Sequence, residues 1–222
     1  MNKQVRGLAL LSLVLMVLIA SCRKLDECIP NVFLNEDLYM EANIDGYYSY
    51  ISDSSINHIF PGQNYYNDTA RVDTMIFNFT SYYIFDGETG VVALNIVEYV
   101  DYSDVIDYGL GNYNYSKFDS LIVEGDFEYT ARSSTAPDYG VDVIFTFGNS
   151  LVYNVDTSAV NPEDFYFNVN SYVKSTEKDC YSRLFEWITY TGTFGCRLVD
   201  FVTSDTIIIK DGEFRAVAAQ YK

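Results

Sequence analysis

The chain carries one histidine, His58, set in "SSINHIFPG" just before Pro61. A Ser/His/Asp or Cys/His nucleophile system would need it as base, and no nucleophile elbow or comparable local signature accompanies it. His58 therefore reads as a loop residue. The four cysteines, Cys22, Cys28, Cys180 and Cys196, form no C-x-x-C pair, so with a single histidine there is no ligand set for zinc. Carboxylates are abundant, 31 Asp and Glu against 14 Lys and Arg. With that many acids, some pair falls at glycosidase spacing by chance, which makes a carboxylate-dependent glycoside hydrolase the weakest functional reading. The sequence reads as a non-enzyme that needs no cofactor.

Recognition chemistry is better represented. "VDYSDVIDYGLGNYNYSKFD", residues 100–119, interleaves Tyr102, Tyr108, Tyr113 and Tyr115 with Asp104, Asp107 and Asn112. Ring faces stack on sugar C–H groups, while carboxylates and amides pair with hydroxyls. The same residues suit a protein-binding surface, since Tyr adds contact area at low entropic cost. The aspartates recur at spacing three, unlike an EF-hand loop, although their oxygens could also hold a calcium ion. The plainer alternative is a set of strand edges in a chain with 21 tyrosines.

The start of the chain decides where these residues operate. "MNKQVRGLALLSLVLMVLIASC" opens with Lys3 and Arg6 and continues with an apolar stretch from Leu8 to Ala20. Such a stretch covers about 20 Å as a helix, short of the roughly 30 Å hydrocarbon core, and it ends on small residues. That describes an export signal. Its close, "IASC", resembles the lipobox of bacterial lipoproteins. The resemblance implies removal of residues 1–21 and lipidation of Cys22, with several acyl chains giving an anchor that one chain would not. Residues 22–37 then read as a charged tether. Asp26 and Glu27 in it resemble the surface-export signal of Bacteroidetes-type lipoproteins, which implies an outer-membrane anchor and a surface-exposed domain. The formal charge is −17, and with no basic patch to release phosphate counterions, nucleic-acid binding is excluded. The composition, 49% hydrophobic with 21 Tyr and 15 Phe, is sufficient to bury a core.

From Leu38 onward the pattern is β. Asp45-Gly46 in "YMEANIDGYYSY" is a hairpin turn, because both turn positions want positive φ. "RVDTMIFNFTSYYIF" runs to the turn residues of "DGETG", and "VVALNIVEYV" and "LIVEGDFEYTAR" resume the pattern. Val141, Val143, Phe145 and Phe147 alternate at period two. In "FYFNVNSYVK", Phe165, Phe167, Val169 and Val173 share one face and Tyr166, Asn168, Asn170, Tyr172 and Lys174 the other. No helical period is sustained, and Asn161-Pro162 caps at most one short turn. Ten to twelve strands with frequent turns predict a single all-β domain over 38–222, an antiparallel β-sandwich of jelly-roll-like character.

Two end segments carry a more particular resemblance. Gly192-Thr193-Phe194 followed by Asp211-Gly212-Glu213-Phe214, together with the "EANIDGYYSY" opening, resembles a group of uncharacterised Bacteroidetes-type lipoproteins. It implies a compact β-sandwich at the cell envelope and no activity. Physically, Gly192 and Gly212 within strands indicate a bulge or a close backbone approach, with Phe194 and Phe214 as core anchors. Asp211-Gly212 is equally compatible with a hairpin turn. With Cys22 lipidated, Cys28, Cys180 and Cys196 are an odd set of disulfide candidates. Residues 184–199 read as one strand, so a Cys180–Cys196 bridge needs a bend near Thr189 to Gly192. Cys28 paired with either cysteine, or free buried thiols, are the alternatives. Asp68-Thr69-Ala70, Asp73-Thr74-Met75, Asp119-Ser120-Leu121 and Asp205-Thr206-Ile207 resemble the O-glycosylation motif of exported Bacteroidetes proteins.

The expected protein is a membrane-anchored, non-catalytic binding module for glycan or a partner protein, with a structural envelope component as the alternative. Replacing Cys22 by Ser tests the anchor. The variant should keep its signal and lose lipid-dependent membrane retention, and unchanged size with unchanged retention would refute the lipobox reading.

Overall fold

The computed structural model describes residues 38–52, 61–67, 73–84, 90–109, 113–130, 139–147, 151–157, 165–178, 182 and 184–221. Asp45 and Gly46 take φ of 50° and 85°. A two-residue turn with both φ positive matches the twist of the strands it joins, so β1 (Tyr39–Ile44) reverses directly into β2 (Tyr47–Ser52). The other strands are β3 (Pro61–Asn67), β4 (Thr74–Ile84), β5 (Gly90–Asp101), β6 (Val105–Asp107), β7 (Tyr113–Tyr115), β8 (Gly125–Asp126), β9 (Tyr139–Phe147), β10 (Leu151–Val155), β11 (Tyr166–Lys178), β12 (Leu184–Val199) and β13 (Thr206–Tyr221). Only two single 3-10 turns, Tyr102–Asp104 and Phe118–Ser120, accompany them among the described residues.

The main sheet is antiparallel in the order β2-β1-β13-β12-β10-β9-β5-β4-β3, with β11 also on β12. β12 belongs to both layers of the sandwich. One of its edges carries β13 along most of its length. The other carries β11 from Leu184 to Gly195, then β10 at Leu198 and Val199. One layer is therefore β2-β1-β13-β12-β11 and the other β10-β9-β5-β4-β3. The sandwich does not close into a barrel. Where β1 stops pairing with β13 at Arg215, a side chain of β4 takes over the exposed strand edge. Ser81 Oγ accepts from the Val217 N–H at 3.0 Å and donates to the Val217 carbonyl at 2.9 Å. Tyr83 donates to the Arg215 carbonyl at 3.0 Å.

Two sequence expectations change, and one open alternative is decided. "LIVEGDFEYTAR" is not one strand: Gly125 and Asp126 pair with β11 while Tyr129 bridges Val141 of β9, so the segment changes layers after Phe127. Phe127 N–H donates to the Phe167 carbonyl at 2.8 Å, and Thr130 N–H to the Val141 carbonyl at 2.8 Å, so its two ends serve opposite sheets. In β11, Val169 pairs with Gly192 but Ser171 with Thr191, so Asn170 is an extra, unpaired residue. That bulge reverses the alternation, and Val173 faces solvent at 65% exposure while Tyr172 packs on the core. Asp211-Gly212 is a bulge within β13, not a hairpin turn. Glu41 pairs with Glu213 and Asn43 with Lys210, leaving one residue too many on β13, and Asp211 sits at φ 51°.

At the centre, Gly192 pairs with Phe214 and Phe194 with Gly212. Each ring lies over the glycine opposite. A Cβ on Gly192 would fall 2.1 Å from the Asn168 carbonyl oxygen and 2.6 Å from the Phe214 ring, and one on Gly212 would fall 2.4 Å from Phe194. Phe167 stacks on Phe214 at 4.9 Å and Tyr190 meets it edge-on at 5.6 Å. Gly192→Ala should therefore cost about 3 kcal/mol, the upper end for overpacking. Gly46→Ala, with open space around it, should cost about 1 kcal/mol through its positive φ alone. Urea unfolding midpoints at constant slope measure both, and equal losses would show that the rings, not the backbone, yield at Gly192.

Candidate functional site

After β5 the segment expected to bind ligand makes its 3-10 turn and a small hairpin, β6–β7, outside the main sheet. Most of its polar chemistry is used locally. Asp104 receives Lys117 Nζ at 2.6 Å, and that hydrogen bond raises the lysine pKa. Asp107 Oδ1 accepts the Gly109 N–H at 2.7 Å, an Asx turn that fixes the hairpin loop. Tyr102 donates to Asn67 Oδ1 at 2.5 Å. Tyr113 sits edge-on to Tyr65 at 5.3 Å.

Tyr115 is buried and cannot be a ligand contact. Its ring packs on Phe77 at 6.1 Å, and its N–H and carbonyl both bond the Gln220 side chain at 3.0 Å. Burial first, then the charge of Glu98, drives its phenol pKa upward. The physical reason is that the hairpin needs a plug against the core, and alternation turned Tyr115 inward. Tyr102 and Tyr108, 43% and 55% exposed, are left as open aromatic area. Asn112 lies outside the described residues, as do Cys22, Cys28, Cys180, His58, the Asn161-Pro162 turn and Thr69. Among the described residues no cluster of three or more His, Cys, Asp or Glu could hold a metal ion. Thr74 is buried, whereas Ser120 and Thr206 are exposed.

A stronger recognition surface lies on the outer face of β2, β1 and β13. Met40 and Ala42 point into the core, so Tyr39, Glu41 and Asn43 point out. The register then places Tyr48 beside Asn43 and Lys210, and Tyr50 beside Glu41 and Glu213, with Tyr39 beside Arg215. Tyr48 and Tyr50 are 68% and 58% exposed. The rings of Tyr39 and Tyr50 lie 6.4 Å apart and within 23° of parallel. Tyr48 donates to Glu41 Oε2 at 2.6 Å, which raises its phenol pKa. Burial, then Glu213 and Glu41, does the same for Tyr39. The polar face continues across β12 through Thr193 and Thr191, the latter 2.8 Å from Ser171 Oγ.

Where the β13 bulge meets the β1–β2 turn, an open groove of about 640 Å³ is lined by Asn43, Asp45, Gly46, Ile208, Lys210 and Asp211. This surface was legible: a two-residue turn at Asp45-Gly46 fixes the pairing of β1 with β2, and the inward Met40 and Ala42 then force Tyr48 and Tyr50 outward. Reading the segment only as a fold signature hid its tyrosines.

Compared with family models, curated proteins and solved structures, the chain matches none.

Cys196 is free and fully buried, and burial pushes its thiol pKa well up. β12 keeps an unbroken register with β13 from Thr189 to Gly192, so the bend that a Cys180–Cys196 bridge requires is absent there. Iodoacetamide with peptide mapping should leave Cys196 unmodified in the folded protein and label it fully in urea. Labelling at the rate of a free thiol in native buffer would contradict a closed β10–β12 corner.

Proposed function

We propose that the chain is an exported lipoprotein, held at the outer membrane through Cys22 and facing outward. Its β-sandwich is a non-catalytic module that binds a neutral glycan on the tyrosine-bearing face of β2, β1 and β13. The observation that carries this reading is the exposure of Tyr48 and Tyr50 in line with Tyr39, beside a groove and a row of carboxylates. Aromatic faces meet sugar C–H groups, while Glu41, Glu213 and Asn43 accept hydroxyl protons. Glu41 and Glu213 are directly opposite on neighbouring strands. Like charges so placed destabilise a sheet, a cost that ligand recognition accounts for. The same carboxylates disfavour anionic polysaccharides.

The placement of the carboxylates supports binding over hydrolysis. A glycosidase places its two carboxyl groups on either side of the scissile bond, whereas Glu41 and Glu213 lie on one side of any chain resting on the sheet. Native gels containing soluble neutral polysaccharides (mannan, mixed-linkage glucan, starch) test the reading. At least one should retard the protein, and Tyr48→Ala with Tyr50→Ala should weaken that retardation about tenfold, ~1.4 kcal/mol, without shifting the unfolding midpoint. A folded protein that no neutral glycan retards would leave the structural envelope component in its place.

A further inference from the structure

At one end of the sandwich the register brings together the Asp45-Gly46 turn, the β12–β13 loop over residues 200–205, the end of β9 and the start of β10. Ile44 faces Ile209 near the start of β13, Asn154 faces Val199 at the end of β12, and Phe147 faces Leu151. This end holds Tyr47, Phe147, Val152, Phe201, Val202 and Ile208, at 79%, 41%, 44%, 71%, 93% and 40% exposure. Those are half of the large exposed hydrophobic side chains among the described residues, gathered in one place.

The loops that display them are tied down. Asp200, only 4% exposed, accepts with Oδ1 from the Val202 N–H at 2.7 Å and the Thr203 N–H at 3.3 Å. Its carbonyl takes the Ser204 N–H at 2.8 Å, and its own N–H reaches the Asp205 carbonyl at 2.9 Å. Asp45 locks the neighbouring turn, with Oδ1 accepting from the Ile208 N–H at 2.9 Å and its N–H donating to the Ile208 carbonyl at 3.0 Å. Phe201 and Val202 are therefore held in water by a knotted loop, and an ordered contact surface loses little freedom on binding.

Acids outnumber cations around this apolar tip. Asp45, Asp205 and Asp211 are exposed, Lys210 lies beside Asp211, and Arg197, opposite Ile208, is already paired with Asp156 at 3.4 Å. The phenol of Tyr153 beneath them has a raised pKa, from burial first and then from Asp205, Asp200 and Asp45.

We propose that this end docks a protein partner that presents an apolar patch rimmed by lysine or arginine. A second copy of the chain would set Asp45, Asp205 and Asp211 against their own counterparts. Anionic lipid headgroups meet the same repulsion. β1 enters the sheet at Tyr39, opposite Arg215 in the middle of β13, and runs from there toward this end. The surface borders the tyrosine face and shares Asp45, Ile208 and Asp211 with its groove, but docking there does not depend on glycan binding.

A photo-crosslinking residue at position 202 of the full-length chain, in the envelope of cells that produce it, tests the proposal. Position 176, exposed on β11, serves as control. One protein adduct should form at 202 and not at 176, on a peptide combining apolar residues with at least two Lys or Arg. With that partner purified, Phe201→Ser with Val202→Ser should weaken affinity about a hundredfold and Asp205→Lys about tenfold, the latter difference shrinking in high salt. Both sites are exposed, and circular dichroism confirms that the variants fold. An adduct with a second copy, an adduct with lipid, the same pattern at both positions, or no adduct would each overturn it.

Discussion

The crossed pairing of Gly192 with Phe214 and Phe194 with Gly212 is the constraint on which the rest of the sandwich depends. Phe194 and Phe214 both lie inward on adjacent strands, and each has a glycine opposite to receive its ring. Any other residue there would strike a ring or, at Gly192, the carbonyl of Asn168 on β11. The pair thus fixes three strands at once. The bulge at Asp211 then brings Ile209 and Gly212 onto the same buried face, which uninterrupted alternation would forbid. Its extra residue is displaced outward, and Lys210 and Asp211 become walls of the groove. The core motif and the candidate site are consequences of one backbone irregularity.

Leaving the sandwich open creates a second problem, since strand edges that lose their partner keep their hydrogen-bonding groups. Here side chains stand in for strands. Ser81 serves both groups of Val217, and the Gln220 amide serves both groups of Tyr115 while donating to Glu186 Oε1 at 2.6 Å. Thr80 and Asn95 form a similar buried chain that ends on the Asp142 carbonyl. Ser81 and Gln220 each supply a donor and an acceptor, as a peptide unit would, so the backbone groups they serve are not stranded.

Legibility followed the physics of each element. The Asp45-Gly46 hairpin, the long β12 and the inward Phe194 and Phe214 were readable because turn chemistry and alternation are local. Val173 was misread because one extra residue, Asn170, reverses a face, and nothing in "NVNSY" distinguishes a bulge from regular strand. Residues 121–130 were misread because their two ends pair with different layers, a decision made by tertiary contacts. Tyr115 was misread for a related reason: a window rich in Tyr and Asp shows which groups are present, not which are already engaged. By contrast, the outward direction of Tyr48 and Tyr50 follows from turn length plus the inward Met40 and Ala42, so the better site was implied by the simpler rule.

The two proposed surfaces meet at the β1–β2 hairpin, and Asp45 belongs to both. Its side chain fixes the turn to Ile208, which at once sets the groove wall and the height of the apolar tip. β1 runs from Tyr39 to this turn, so the hairpin lies at the far end of the strand from where the described chain begins. A flat face along the side and a docking tip at the far end leave both accessible together. No described element covers either one, so occupancy of the face need not wait for a moving lid, and coupling between the two would have to pass through the rigid hairpin they share.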